Sequence, residues 1–96
     1  MDEVQNAQAM PKHPAKVKIF TTPVCGYCKM AKEYFKENNV EYSEFDVSKD
    51  IPAQQEMIQR SGQMGVPVID IDGNLVLGFD KPRIEELLSQ SMAKAQ

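Results

Sequence analysis

Cysteine and histidine, the usual ligands of structural zinc, are scarce in this chain. Its 96 residues include two cysteines, Cys25 and Cys28, and one histidine, His13. A structural zinc site needs about four Cys or His ligands, so we expect no metal site within one chain. Two copies that shared both cysteines would offer four thiolates, and a zinc-bridged dimer therefore remains an alternative. His13 is interpreted as a solvated residue.

Long apolar runs and an excess of positive charge are also lacking. No run approaches the roughly 20 residues that cross a bilayer. The net charge is −3 and the basic residues are interspersed with acidic ones, which excludes an electrostatic footprint for nucleic acid. The first residues, MDEVQNAQAMPKHPAK, lack the basic start and apolar stretch of a secretory signal. We expect a cytoplasmic protein with no membrane or nucleic-acid partner, in a compartment where a static disulfide is unusual.

The remaining composition is that of one ordinary domain. A chain of this length buries roughly 60–65% of its unfolded surface, so it needs no disulfide or bound metal in order to fold. Residues 1–15 are polar, contain two prolines and show no apolar period, which predicts a disordered N-terminal tail. Residues 16–96 are predicted to form the domain.

Apolar periodicity and turn residues predict the order of the secondary structure elements. The predicted elements are a strand at 16–21, a helix at 25–38, a strand within 40–47, a helix between Asp50 and Gly62, a hairpin at 66–77 that turns at Asp72-Gly73, and a third helix after Asp80. In the first helix, Met30, Ala31, Tyr34 and Phe35 are predicted to face the core. Because two strands joined through a helix form a right-handed parallel crossover, we predict an α/β protein: a mixed four-stranded sheet, ordered βαβαββα and flanked by three helices.

The two cysteines stand where the first strand ends and the first helix begins. Free N–H groups and the positive end of the helix dipole favour a thiolate at Cys25. Cys28 lies one turn further into the helix, where we expect it to be more enclosed. This arrangement predicts a redox pair in which Cys25 attacks a disulfide and Cys28 then releases the product. Gly26 is expected to loosen the turn, and Lys29 to be a solvated side chain.

Three motifs connect this pair with the rest of the chain. They are CGYC at 25–28, GVPVI at 65–69 and GFD at 78–80. Together with the ββα ending, they resemble the glutaredoxin branch of the thioredoxin superfamily, and the lead-in TTPVC is similar to that of small bacterial glutaredoxin-like proteins. The resemblance implies a thioredoxin-like fold and a thiol–disulfide oxidoreductase that reduces protein disulfides or glutathione mixed disulfides.

The resemblance also implies which residues contact a substrate. It implies that the Val66-Pro67 bond is cis and faces the cysteines, so that the Val66 backbone pairs with an extended thiol substrate; from the residues alone, a trans proline at an edge strand is the alternative. Gly78 and Asp80 match the position that holds the γ-glutamyl end of glutathione, although Asp80 also suits a plain helix cap. Gln63 occupies a further family contact position. Tyr27 is assigned to the substrate-facing surface as an exposed ring that shields the thiols.

Two departures from the family pattern leave the reductant open. Thr22 stands where glutaredoxins usually carry a basic residue for a glutathione carboxylate, a contact worth roughly 1.5–3 kcal/mol. Phe79 replaces the second residue of a usual Gly-Gly pair and is expected to close part of the pocket. We expect a monomer without a tightly bound cofactor, recycled by glutathione, thioredoxin reductase or another flavoprotein. The alternative function is a glutathione-dependent [2Fe–2S] carrier dimer, for which Gly26 would let Cys25 reach outward.

Overall fold

A mixed sheet of four strands organises the part of the chain that the computed structural model describes, residues 13–94. The elements are β1 (Val17–Thr21), α1 (Gly26–Glu37), β2 (Tyr42–Asp46), α2 (Ile51–Ser61), β3 (Val68–Ile71), β4 (Asn74–Leu77) and α3 (Lys81–Lys94). The predicted α/β fold, with its order βαβαββα, is confirmed. No helix among residues 13–94 is both long enough and apolar enough to span a membrane.

The strand order, β2-β1-β3-β4, determines which loops meet. β1 runs parallel to β2, with Thr21 opposite Asp46, and antiparallel to β3, with Phe20 opposite Val68. The end of β1 therefore lies beside the start of β3. The residues that follow Thr21 and those that precede Val68 meet at one edge of the sheet, although they are far apart in sequence.

The core lies on both faces of the sheet because neighbouring residues of β1 point in opposite directions. Ile19 packs with Phe35 of α1 and Ile84 of α3 on one face. Phe20 packs on the other face with Met57 of α2. These side chains are at most 1% exposed. The two helices α1 and α3 thus share one face of the sheet, and α2 covers the other.

Local signals account for the ends of the elements. The Asp50 side chain accepts a hydrogen bond from the Ala53 N–H at 3.1 Å and caps α2. Gly62 ends α2 in the left-handed conformation, at φ +76°. The turn between β3 and β4 has positive φ at both Asp72 and Gly73, as a tight two-residue hairpin requires.

Three details differ from the sequence-based expectations. β2 covers only part of the 40–47 window: Val40 precedes the strand and Val47 begins the turn after it, although both side chains are buried. Met30 is 49% exposed, because the buried stripe of α1 consists of Cys28, Ala31 and Phe35, and Met30 lies off it.

The predicted tail is the remaining difference, and it concerns its last three residues. The His13 N–H donates to the Asn39 carbonyl at 3.0 Å, and Ala15 joins the core. His13 is partly buried, and its Nδ1 accepts a hydrogen bond from the Ala15 N–H at 3.1 Å. Residues 1–12 of the predicted tail and residues 95–96 lie outside the described residues.

Candidate active site

Cys25 is the residue on which α1 begins. After β1, the chain turns through a hydrogen bond from the Cys25 N–H to the Thr22 carbonyl, 3.3 Å. Cys25 itself has extended backbone angles and occupies the N-cap position, where its Sγ accepts a hydrogen bond from the Cys28 N–H at 3.1 Å. Sulfur here takes the place of the oxygen that Ser, Thr or Asp usually provides. The first turn of α1 contains no acidic residue that would oppose a negative charge on this sulfur.

Cys25 and Cys28 form a disulfide. Their Cα atoms are 5.2 Å apart, within the usual range for a disulfide. Cys28 is 2% exposed, whereas Cys25 is only partly buried. The Cys25 sulfur is therefore the more accessible of the two, and Cys28 lies on the protein side of it.

The segment before β3 forms the opposite wall of the site. The Val66-Pro67 peptide bond is cis. The Val66 carbonyl oxygen lies 3.9 Å from the Cys25 Sγ, a contact rather than a hydrogen bond because a disulfide sulfur carries no proton. Pro67 is buried, and its carbonyl accepts a hydrogen bond from the Gly78 N–H at 2.9 Å. This bond brings Gly78, at φ +79°, beside the same wall.

The comparisons with known proteins agree with this geometry. Residues 17–76 match the family model described as glutaredoxin. The chain belongs to the glutaredoxin family. Family membership and the Cys25–Cys28 pair together support a thiol–disulfide oxidoreductase.

Relatives carry both glutaredoxin and thioredoxin names. A glutaredoxin-like 8.6 kDa protein in the rubredoxin operon of Clostridium pasteurianum is 43% identical over 74 residues, which are 77% of this chain and 99% of that protein. Glutaredoxin 3 of Escherichia coli K12 is 36% identical over 66 residues, which are 69% of this chain and 80% of that protein. A crystal structure of a thioredoxin-like protein is 38% identical, covers 75% of this chain and 99% of its own, and has a TM-score of 0.71.

The other predicted contact residues of this glutaredoxin differ in how closely they approach the cysteines. Tyr27 lies between them and is 65% exposed. Gln63 is on the loop that leads to Val66 and is partly buried. Asp80 is exposed at the start of α3, where its backbone carbonyl accepts from the Ile84 N–H at 2.9 Å and its Oδ1 from the Arg83 N–H at 3.4 Å. Asp80 therefore serves the helix as a cap in this structure.

Phe79 packs inward and does not close the pocket as expected. Its ring is partly buried against the core, edge-on to the ring of Tyr34 in α1, with the centroids 6.0 Å apart. The Lys81 ammonium lies over the same Tyr34 ring, 5.6 Å from its centroid. An apolar side chain next to a core edge gains more from burial than from covering a polar site, which explains the difference.

A polar trio behind the disulfide was not foreseen from the sequence. Thr21, the last residue of β1, is 1% exposed, and its Oγ1 donates to Glu44 Oε2 at 2.8 Å. The Lys32 ammonium donates to the same oxygen at 2.8 Å. The hydrogen bond from Lys32, with that from Thr21, holds the pKa of Glu44 below its ordinary value. The trio links β1 and β2 to α1 one turn beyond Cys28. The sequence places Lys32 one helical turn after Cys28, but it does not indicate that Glu44 contacts Thr21, which lies 23 positions earlier in the chain.

A wide concavity among the described residues lies elsewhere. It has a volume of about 1140 Å³ and is lined by residues at the start of β1, including Lys16 and Lys18, and by Asp70 and Asp72. The cysteines follow the other end of β1, roughly 17 Å away along five residues. This concavity is therefore not the place where the disulfide reacts.

Proposed function

We propose that this protein is a dithiol oxidoreductase of glutaredoxin type, which reduces protein disulfides or glutathione mixed disulfides. The observation that carries the proposal is the asymmetry of the Cys25–Cys28 disulfide. One sulfur is accessible and accepts an N–H at a helix start, while the other belongs to a side chain that is 2% exposed. An attacking thiolate needs access and stabilisation, whereas a resolving thiol needs only its neighbour.

The reaction begins with both cysteines reduced. The Cys25 thiolate attacks one sulfur of the substrate disulfide, the Cys25–substrate bond forms, and the other substrate sulfur leaves as a thiolate that takes a proton from water. Cys28 then loses its proton and attacks the Cys25 sulfur. The second substrate thiol leaves, and the Cys25–Cys28 bond closes. Two electrons have passed from the protein to the substrate.

An external thiol or dithiol must then return two electrons. Glutathione or a flavoprotein reductase can do so, because either supplies a thiolate that attacks the accessible Cys25 sulfur. Thr22 offers no positive charge to a glutathione carboxylate, so glutathione has no electrostatic advantage over a flavoprotein reductase at this position. We propose a monomer that acts in the reducing cytoplasm, where such reductants are maintained.

The decisive experiment measures NADPH consumption with a disulfide substrate in two parallel systems. One contains glutathione and glutathione reductase, and the other contains thioredoxin reductase. Turnover in either system, abolished in Cys25→Ser, supports the proposal and identifies the reductant. Full turnover by Cys25→Ser would contradict it.

Absence of turnover in both systems would favour the iron–sulfur carrier instead. Reconstitution with iron, sulfide and glutathione under anaerobic conditions tests that alternative. A brown protein with visible absorbance supports it, and a colourless protein rejects it.

A further inference from the structure

Four of the seven strongly exposed apolar side chains among residues 13–94 belong to the segments that carry or face the disulfide. Seven large hydrophobic residues among residues 13–94 are strongly exposed: Val24 94%, Tyr27 65%, Met30 49%, Ile51 53%, Met64 68%, Leu77 49% and Met92 47%. Four of them, Val24, Tyr27, Met30 and Met64, are placed around the cysteines and form what we call the apolar rim.

The backbone accounts for the position of each member. Val24 directly precedes Cys25 and is 94% exposed. Tyr27 and Met30 are three residues apart on α1, and residues at this spacing have Cβ atoms about 5–6 Å apart on one helix face. Met64 stands two residues before Val66, whose carbonyl touches the Cys25 Sγ, so an extended chain places it within about 7 Å of that wall.

Three of the four rim residues also lie in uncharged stretches of the chain, and the fourth, Met30, follows Lys29. Residues 20–28 and residues 61–69 contain no Asp, Glu, Lys, Arg or His, in a protein whose charged residues make up 26% of the sequence. The charged residues directly next to these stretches are Lys29, Arg60 and Asp70, and Arg60 is paired with Asp70 at 2.6 Å. A tripeptide with two carboxylates and an amine finds little complementary charge here, whereas an uncharged chain loses no ionic hydration on docking.

The chemistry of the rim suits a protein partner. Methionine and aromatic residues are enriched at protein interfaces, and the flexible thioether adapts to partners of different shape. Redox partners form small, transient contacts below about 1,200 Å², so four side chains beside the reacting sulfur are a substantial share of such an interface.

We propose that the apolar rim selects protein substrates whose disulfide lies in an apolar, extended segment, in preference to small charged disulfides. The proposal rests on the disulfide reductase activity proposed above and specifies its substrate class. Val24 and Tyr27 contact the residues next to the substrate sulfur, while Met30 and Met64 contact residues further along the substrate chain on either side of Cys25.

The test uses two synthetic peptides of equal length with the same internal disulfide. Leucine and valine flank the cysteines in one peptide, and serine and glutamate flank them in the other. The pre-reduced protein is mixed with each peptide, and the second-order rate constant is divided by that for dithiothreitol, which removes the intrinsic reactivity of the peptide. Bis(2-hydroxyethyl) disulfide, small and neutral, serves as the third substrate.

The variants are Met30→Gln combined with Met64→Gln, and Met92→Gln as the matched control. Met92 is exposed to the same degree as Met30 but lies on α3, and glutamine has a helix propensity close to that of methionine. We expect the native protein to prefer the apolar peptide by about tenfold, the double variant to lose most of this preference, and Met92→Gln to retain it.

The outcomes separate the two proposals. Equal normalised rates for both peptides in the native protein, an undiminished preference in the double variant, or an equal loss in Met92→Gln would each overturn the role of the rim. In all of these cases the hydroxyethyl disulfide is still reduced. Failure to reduce even that disulfide would instead reject the oxidoreductase function, and with it the substrate class.

Discussion

The trio formed by Thr21, Glu44 and Lys32 yields a quantitative prediction. Changing Glu44→Ala leaves the Thr21 hydroxyl, which is 1% exposed, without its acceptor. An unsatisfied buried donor costs about 1–3 kcal/mol. The lost pair with Lys32 adds only about 0.2–1 kcal/mol, because the side chains of Lys32 and Glu44 are 28% and 37% exposed and water screens them. We expect a total loss of about 1–4 kcal/mol in the free energy of unfolding.

A second variant isolates the buried hydrogen bond. Thr21→Val replaces the hydroxyl with a methyl group of similar size, and we expect a loss of about 0.5–1.5 kcal/mol. In the double variant no buried donor remains to be orphaned, so Glu44→Ala then costs only the exposed ion pair. The loss in the double variant should therefore fall short of the sum of the two single losses by about 1–3 kcal/mol.

Urea unfolding of the oxidised protein at neutral pH measures these values. With a slope of about 1 kcal/mol per molar urea, Glu44→Ala should lower the midpoint by about 1–4 M. Lys49→Ala, which removes an exposed charge near the end of β2, is the control and should leave the midpoint nearly unchanged. Strict additivity of Thr21→Val and Glu44→Ala would refute the reasoning, since it would mean that the hydroxyl does not depend on Glu44.

Three further predictions follow from the structure. Cys28→Ser should stop the reaction at the mixed disulfide, because no second sulfur reaches Cys25; mass spectrometry without reductant would show one added substrate, and a free product with unmodified protein would contradict this. Because the pKa of Glu44 is lowered in the folded state, its ionised form stabilises the fold at pH values above the ordinary carboxyl pKa of 4.5, and this stabilisation is lost as the pH falls through the lowered pKa. Glu44→Gln should therefore flatten the acid side of a plot of unfolding free energy against pH, and an unchanged plot would contradict this prediction. Asp50→Ala should cost about 1 kcal/mol, since the Ala53 N–H loses its acceptor; calorimetry with Asp50→Ser, which keeps a cap, would show recovery.

The fold was predictable because its signals are local. Asp50 and Gly62 bound α2, and Asp72-Gly73 turns the hairpin, since each acts on backbone groups within a few residues. The position of Cys25 follows in the same way, from a strand that ends and a helix that begins.

Contacts between residues that are distant in sequence were harder to predict. The pattern of α1 admits Met30 on the inner face, and only the packing of Ala31 and Phe35 on the sheet excludes it. Thr21 and Glu44 meet through the parallel pairing of β1 and β2, whose register depends on the whole sheet. The inward turn of Phe79 likewise depends on Tyr34, 45 positions earlier in the sequence.

The strand order also has a consequence for the protein during its synthesis. Cys25 lies 41 positions before Val66, the residue that faces it across the site. At about 5–20 residues per second, a ribosome needs about 2–8 s to add that segment. During this interval the nascent chain already contains both thiols but not the wall opposite them. The pairing of β3 with β1 is therefore the step of maturation at which Val66 comes to lie opposite the two cysteines.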